Sequence, residues 1–285
     1  MTAQAVEIFE MSPRDGLQNE ARMIPLAEKI ALVDLLSKVG FKRIEVASFV
    51  SPKWVPQMAD SAQVLAGMTR ARGVSYAALT PNLHGFEAAL AARADEVAIF
   101  ASASEGFSKA NLNCTIEESL ARFVPVMQAA KTAGIRVRGY VSMVVECPFD
   151  GPTPRATVVR VVEALRGMGC YEVSLGDTVG RGTPEAVGRM LAAVTEAAPA
   201  QELAGHFHDT AGHALANVEV ALGYGLRVFD ACAGGLGGCP YAPGAAGNVA
   251  TEALAARLHR LGYATGLDLN ALGAAADFAR KIRGT

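Results

Sequence analysis

Short runs rich in β-branched and aromatic residues alternate with longer helix-like runs along almost the whole chain. This alternation constrains the fold more than any single motif, because strands that are separated by helices pair in parallel. The predicted strands cover residues 6–10, 43–47, 74–79, 96–100, 137–144, 172–175, a seventh run that ends with His206 and His208, and 228–231. Eight such units predict an α/β protein, a (β/α)8 TIM barrel, and the helical patterns over 249–261 and 269–282 predict extra C-terminal helices.

The sequence predicts one domain that spans residues 1–285. Its 285 residues are close to the ~250 residues that are typical of a TIM barrel. No linker and no low-complexity tract interrupts the sequence. An internal echo supports a repeating architecture, since Asp177-Thr178-Val179-Gly180 and Asp209-Thr210-Ala211-Gly212 each follow a predicted strand directly.

Local signals mark several helix ends. Helix 26–39 is expected to stop at Gly40, and helix 158–168 at Gly169, because glycine adopts the left-handed conformation of a helix C-cap without strain. Thr115 and Glu118 have the spacing of a capping box and predict the start of a long helix.

Composition excludes several classes of protein. The net charge is -2 and no basic block occurs, so we expect neither a nucleic-acid partner nor a membrane-surface partner. The N-terminus lacks the pattern of a signal peptide, and no apolar run approaches the ~18 residues of a membrane span. Five scattered cysteines without a C-x-x-C motif indicate reduced thiols. We therefore expect a soluble cytoplasmic protein.

His206 and His208 are two residues apart at the end of the seventh predicted strand. The period of two in a strand places both imidazoles on one face, with Phe207 on the other. Two neutral imidazoles on one face can bind one divalent cation. The alternative is an incidental pair, one histidine buried and hydrogen-bonded and the other solvated.

Further polar residues fall at the carboxyl ends of the predicted strands, which converge at one mouth of a barrel. They are Arg14, Asp15, Gln18, Glu45 and Asp177. Asp15 can complete a metal shell and Arg14 can face an anion, although Pro-Arg-Asp-Gly is also good surface-turn chemistry. Glu45 lies in an apolar strand, where a carboxylate needs a partner such as Arg14 unless it faces water.

Two features follow the eighth strand. Residues 234–244 form a glycine-rich loop around Cys239, which is neither a P-loop nor a dinucleotide motif. We interpret it as a segment that closes over the mouth and carries a thiol, the alternative being a flexible loop with an incidental cysteine. Asn248 is either the N-cap of the next helix or a fourth metal ligand.

The motifs together resemble the 3-hydroxy-3-methylglutaryl-CoA lyase family of the metal-dependent barrel superfamily of Claisen-type lyases and synthases. The resemblance runs from about residue 6 to 283. It is carried by Pro13-Arg-Asp-Gly-Leu-Gln-Asn-Glu20, Ser174-Leu-Gly-Asp-Thr178, His206-x-His-Asp-Thr210, Gly235-Leu-Gly-Gly-Cys-Pro-Tyr-Ala242 and Gly247-Asn-x-Ala-Thr-Glu252. The cysteine loop is the most specific of these motifs.

The resemblance implies a fold, an activity and a set of site residues. The implied activity is cleavage of 3-hydroxy-3-methylglutaryl-CoA to acetyl-CoA and acetoacetate, a step of leucine degradation, by a homodimer that takes a small-molecule acyl-CoA substrate. The implied cation is Mg²⁺ or Mn²⁺, with Zn²⁺ as an alternative. The implied ligands are Asp15, His206, His208 and Asn248; the implied catalytic residues are Arg14, Cys239, Asp177 and Glu45; Arg14 and Gln18 are the implied substrate-binding residues.

The chain departs from the family pattern at the predicted mouth. Ala211 stands where the family usually has tyrosine, and Met143 and Glu146 stand where it usually has cysteine and glycine. A related branched 3-hydroxyacyl-CoA is therefore an alternative substrate. A metal-binding barrel without catalytic activity is an alternative from another functional class.

Overall fold

A computed structural model describes residues 3–238 and 247–284. Its centre is a closed barrel of eight parallel strands, so the predicted TIM barrel is confirmed. The strands are β1 (Glu7–Glu10), β2 (Arg43–Ser48), β3 (Ser75–Leu79), β4 (Glu96–Ser102), β5 (Arg136–Ser142), β6 (Val173–Asp177), β7 (Leu203–Phe207) and β8 (Val228–Ala231). Neighbours in sequence are neighbours in the barrel, and β1 closes the ring by pairing with β8.

Ten helices surround the barrel in the described part of the chain. They are α1 (Leu26–Leu36), α2 (Ser61–Gly67), α3 (Leu83–Ala91), α4 (Glu105–Leu112), α5 (Ile116–Ala133), α6 (Arg155–Met168), α7 (Pro184–Ala197), α8 (Ala214–Gly223), α9 (Thr251–Arg260) and α10 (Leu269–Arg283). The apolar sides of these helices and the outer faces of the strands form one large core, because parallel strands must be covered by helices. Within the described residues, no helix is both long and apolar enough to span a bilayer.

The local helix signals are confirmed with one adjustment. Thr115 and Glu118 form both bonds of the capping box that begins α5, and Gly169 ends α6 in the left-handed conformation. Helix α1 ends at Leu36, earlier than predicted, and Gly40 follows it with φ of 105°. Gly40 therefore belongs to the turn that leads into β2 rather than to the helix.

The region after β5 differs from the prediction. The predicted strand ran to residue 144, but β5 ends at Ser142 because Met143 has φ of 61°, which breaks an extended strand. A short antiparallel hairpin then pairs Glu146–Cys147 with Gly151–Pro152. The four described cysteines are free and buried, which confirms reduced thiols for that set.

Candidate active site

The turn that follows β1 carries the first part of the site. Ser12–Gly16 form a single wide helical turn, and Pro13 near its start fixes the backbone for it. The buried carboxylate of Glu10 anchors this turn by accepting hydrogen bonds from Ser12 N, at 2.9 Å, and Ala233 N, at 3.0 Å. Burial raises the pKa of this Glu10 carboxyl. The turn is therefore fixed to the loop that follows β8.

Arg14 points inward from this turn and is buried. Its Nε donates to Glu45 Oε1, and its Nη1 donates to Asp15 Oδ1 at 2.6 Å. The predicted pairing of Glu45 with Arg14 is confirmed. The alternatives of an exposed Arg14 and a water-facing Glu45 are wrong, because both side chains are buried. Burial nevertheless raises the pKa of the Glu45 carboxyl above its ordinary value.

The two histidines lie on one face, as predicted. His206 is in β7 and His208 follows its last residue, while Phe207 is buried in the core. The imidazole centroids are 5.3 Å apart. The Nε2 atoms of His206 and His208 lie 3.8 and 4.0 Å from Asp15 Oδ2. Both rings are buried, so the alternative of one solvated histidine is wrong.

Asp15, His206 and His208 therefore form a group that can hold a metal ion, with ligand atoms within 4.8 Å of one another. Burial and the neighbouring His206 lower the pKa of His208 to about 4. Burial alone would raise the pKa of Asp15, but Arg14 and the two histidines lower it to about 2. A neutral imidazole and an ionised carboxylate are the forms that bind cations.

Asn248 joins this group from the segment before α9. That helix begins at Thr251 with Ala250 as its N-cap, so the capping alternative for Asn248 is wrong. The amide Nδ2 donates to Asp15 Oδ2 at 2.8 Å, while Oδ1 is buried without a hydrogen-bond partner among the described residues. An orphaned acceptor beside a carboxylate and two imidazoles fits a cation, since bound metal would satisfy it.

Asp177 lies at the end of β6, and its carboxylate organises the following turn. Oδ1 accepts from Gly180 N at 3.2 Å and Oδ2 accepts from Gly182 N at 2.8 Å. Burial raises the pKa of Asp177 despite these bonds. The two Asp-Thr-x-Gly turns also contact each other, since Ala211 N donates to Gly180 O at 2.8 Å.

Two predicted residues remain, Gln18 and Cys239. Gln18 has a buried Oε1 without a partner among the described residues. Cys239 lies outside the described residues, so its predicted role is still a prediction. The described segment just before Cys239 is anchored to the residues that follow the Ser12–Gly16 turn, because Asn19 Nδ2 donates to Gly238 O at 3.1 Å.

Three polar residues beneath the site were missed from the sequence. Tyr140 donates from its hydroxyl to Glu45 Oε2 at 2.8 Å, and Arg138 Nη1 donates to the same hydroxyl at 2.9 Å. Asp230 contacts His206 from below, with Oδ2 3.1 Å from Nδ1. An acidic residue within the apolar strand β8 was the available signal for Asp230, as it was for Glu45 in β2.

Asp230 and Arg138 determine the charge next to His206. Burial alone would lower the pKa of His206, but the hydrogen bond and charge of Asp230, together with Asp15, raise it. Burial alone would raise the pKa of Asp230, and the Arg138 guanidinium lowers it well below the usual range. The Asp230 carboxylate is therefore ionised.

The chain is similar to known proteins over almost its whole length. The HMGL-like family model matches residues 5–279. A Pseudomonas aeruginosa relative named 3-hydroxy-3-isohexenylglutaryl-CoA/hydroxy-methylglutaryl-CoA lyase is 57% identical over 94% of this chain and 89% of its own length.

Two solved structures show the same fold. The HMG-CoA lyase of Brucella melitensis superimposes with a TM-score of 0.98 at 60% identity, over 99% of this chain and 100% of that one. An HMG-CoA lyase from Acinetobacter baumannii, solved with coenzyme A and 3-methylmalate, gives a TM-score of 0.95 at 38% identity, over 100% of this chain and 93% of that one. On the family match and these identities, the chain belongs to the HMGL-like family.

Proposed function

We propose that this protein is a divalent-metal-dependent lyase that cleaves 3-hydroxy-3-methylglutaryl-CoA to acetyl-CoA and acetoacetate. The observation that carries the proposal is the group formed by Asp15, His206 and His208 at the mouth of the barrel, with the Arg14 guanidinium beside it. Relatives that bear the lyase name at more than half identity support it.

We assign the cation to Asp15, His206, His208 and Asn248. Two imidazoles with two oxygen ligands suit Mg²⁺ or Mn²⁺ in six-coordinate geometry, and Zn²⁺ is the alternative. When bound, the cation supplies Lewis acidity to the substrate's hydroxyl, which becomes easier to deprotonate. The buried, unpartnered Oδ1 of Asn248 supports its inclusion.

Arg14 is assigned to the thioester oxygen. Loss of the tertiary hydroxyl proton and cleavage of the C2–C3 bond leave a ketone and a thioester enolate. The enolate oxygen carries the developing negative charge, and a fixed cationic donor stabilises it most in the transition state. Glu45 and Asp15 hold the guanidinium at the mouth. We therefore propose that Glu45 acts through Arg14.

The remaining proposed roles concern protons and substrate. Cys239 is proposed to protonate the enolate carbon, which completes acetyl-CoA and leaves a thiolate; the proton lost from the hydroxyl then returns to that thiolate, so no net proton is consumed. Asp177 is proposed to act by shaping the turn that it caps, since its oxygens accept from Gly180 N and Gly182 N. Gln18 is proposed to bind substrate, which its unpartnered Oε1 supports.

A related branched 3-hydroxyacyl-CoA is the second candidate substrate. Ala211 is exposed and stands where the family usually has tyrosine, so a smaller side chain occupies this position of the turn after β7. The Pseudomonas aeruginosa relative is named for an isohexenyl as well as a methyl substrate. Glu146 is half-buried and lies close enough to Asp177 to add to the effect of burial in raising the pKa of that carboxyl. It is a further residue that would distinguish the two substrates, whereas Met143 is fully buried.

A coupled assay with a panel of acyl-CoA substrates tests the proposal. We expect acetyl-CoA from 3-hydroxy-3-methylglutaryl-CoA when Mn²⁺ or Mg²⁺ is present, and none after chelation. Preference for a longer branch would instead support the second candidate. Bound metal without turnover of any acyl-CoA would contradict both and favour the non-catalytic barrel.

Assembly and location are proposed on the family resemblance. We propose a homodimer, so light scattering should give twice the 29.6 kDa chain mass. A monomer at assay concentration would contradict it. The cytoplasmic location is also a proposal, which fractionation of the source cells would test.

A further inference from the structure

One buried carboxylate has no part in the proposed function, yet it touches one of the two histidines. Asp230 lies in β8 and is buried, with Oδ2 3.1 Å from His206 Nδ1. The other ring nitrogen of His206, Nε2, faces Asp15 at 3.8 Å. A metal-binding imidazole presents one bare nitrogen and carries its proton on the other, where an acceptor fixes the tautomer. Asp230 lies where that acceptor is needed.

His208 lacks such support. Its Nδ1 is buried and has no hydrogen-bond partner among the residues that the structure describes. The two imidazoles are neighbours, with centroids 5.3 Å apart, but within residues 3–238 and 247–284 only His206 has a carboxylate at its Nδ1. The two histidines are therefore unequal in their surroundings.

Asp230 is itself rigidly held. Arg138 donates from Nη2 to Oδ1 at 2.8 Å and from Nη1 to Oδ2 at 3.0 Å, and Ser174 Oγ donates to Oδ2 at 2.7 Å. Arg138 is fixed in turn by Glu172, which accepts from its Nε at 2.6 Å. A two-pronged guanidinium contact restricts the carboxylate in position and in plane. The chain of contacts continues from Glu172 through Arg138 and Asp230 to His206.

We propose that Asp230 is a positioning residue that accepts the Nδ1 proton of His206 and aims the bare Nε2 at the metal position. The proposal rests on the metal site of the proposed function. It adds to that function the expectation that His206 binds the metal more strongly, and in a better-defined orientation, than His208 does.

The unmodified protein provides the first test, which does not depend on any variant folding. The chain has five histidines, so ring-¹⁵N labelling of histidine gives a small set of signals. The His206 signals are identified by their loss in His206→Gln. With saturating Mg²⁺, we expect a proton on Nδ1 and none on Nε2. A proton on Nε2 of His206 would overturn the proposal.

Asp230→Asn provides the second test, with Ser174→Ala as its matched control. The amide oxygen is drawn to the Arg138 guanidinium, which leaves the NH₂ group facing His206 and favours the wrong tautomer. We expect Mn²⁺ affinity, measured by calorimetry without substrate, to fall about 10- to 100-fold in Asp230→Asn. Ser174→Ala removes a different hydrogen-bond donor to the same oxygen, Asp230 Oδ2. We expect it to change the Mn²⁺ affinity by less than about 3-fold.

The outcomes separate this proposal from the lyase function. Unchanged Mn²⁺ affinity in a folded Asp230→Asn protein would overturn the positioning role. If that variant does not fold, the tautomer in the unmodified protein decides. Both measurements omit acyl-CoA, so a failure of turnover in the substrate panel contradicts the proposed reaction and leaves these results standing.

Discussion

At the residue scale, Arg14 is the side chain whose role is most open to direct test. Arg14→Met removes the charge assigned to the enolate oxygen and keeps a similar length. We expect kcat to fall at least about 100-fold, since one lost donor to a developing oxyanion costs about that much. Mn²⁺ should still bind, because Asp15 and the histidines remain. A near-normal rate would refute the role of Arg14.

Arg14→Met also removes the cationic partner of the buried Glu45 carboxylate. We expect this loss of the ion pair to lower the free energy of unfolding by about 3–5 kcal/mol. The double variant Arg14→Met/Glu45→Gln removes that charge and serves as the control. We expect it to recover stability in urea unfolding without recovering turnover. Recovery of both would mean that the single variant had failed through folding.

The metal group gives a second prediction at this scale. His206→Ala and Asp15→Ala each remove one of the three clustered ligand atoms. We expect both to lose Mn²⁺ binding in calorimetry and to lose acetyl-CoA release. His259→Ala is the matched control, because His259 lies on α9 and bonds to Thr265 rather than to the site. Full metal affinity in Asp15→Ala would contradict the assigned ligand set.

Cys239 allows a third test. Cys239→Ser replaces a thiol by a far weaker acid, so we expect a folded protein that is slower by about 100-fold or more. Cys170→Ser is the control, since Cys170 lies before β6, at the opposite end of the barrel. Equal rates for the unmodified protein and Cys239→Ser would make the thiol a bystander.

Site residues that are recognisable from their near neighbours in the sequence were predicted. Site residues that matter because of contacts between different strands were missed. The histidine pair was found because a strand has a period of two, and Asp15 because strand ends converge. Tyr140 and Asp230 were missed because each gains meaning only beside Glu45 or His206, which lie on other strands. Whether Asn248 is a helix N-cap or a metal ligand depended on the residue at which α9 begins. The ends of helices, to within a few residues, are the least reliable part of a sequence-based prediction.

At the element scale, the strands were predicted closely because they are buried on both faces and stand out as short, mostly apolar runs. The short helices α2 and α4 were not singled out, since seven or eight residues carry too little apolar periodicity. The end of β5 was missed because it depends on the backbone of Met143, which the apolar run over 137–144 hides.

Strand β7 gives a prediction about packing. A Cβ on Gly205 would lie 2.8 Å from a ring carbon of Phe207 and 3.0 Å from one of Phe229, both buried. We expect Gly205→Ala to cost about 1–3 kcal/mol through overpacking. Gly188→Ala in α7 is the control, because its nearest neighbour would be 3.6 Å away, and it should gain about 0.5–1 kcal/mol. Equal unfolding free energies for the two variants would contradict the close fit at Gly205.

At the scale of the whole molecule, the alternation of strands and helices was sufficient to predict the barrel. Eight parallel strands that each carry a covering helix have few ways to bury both faces, and closure leaves no edge. The contacts that connect the interior of the barrel to its mouth could not be predicted in this way. They require the register between strands, as where Asp230 stands beside His206 through the pairing of β8 with β7.

The barrel also buries groups whose ionisation should set its alkaline limit. Burial raises the pKa of Cys170 to about 12, and it also raises the pKa of Cys232, Tyr140 and Tyr171 above their ordinary values. The unfolded chain loses these protons near the ordinary values of 9.0 for cysteine and 10.0 for tyrosine. The folded chain keeps them, so it binds more protons at high pH and its stability must fall as pH rises.

Each group that is ionised in the unfolded chain but not in the folded one lowers the free energy of unfolding by about 1.4 kcal/mol per pH unit. Once all four groups are in that condition, we expect the free energy of unfolding to fall by about 5 kcal/mol per pH unit. Urea unfolding between pH 8 and 11, followed by circular dichroism, measures this slope. Fluorescence is unsuitable because the single tryptophan, Trp54, is 78% exposed. Cys170→Ser should reduce the slope by about one proton. A slope that corresponds to fewer than two protons would contradict the prediction. It would show that hydroxide reaches these groups in the folded protein, or that they ionise without unfolding.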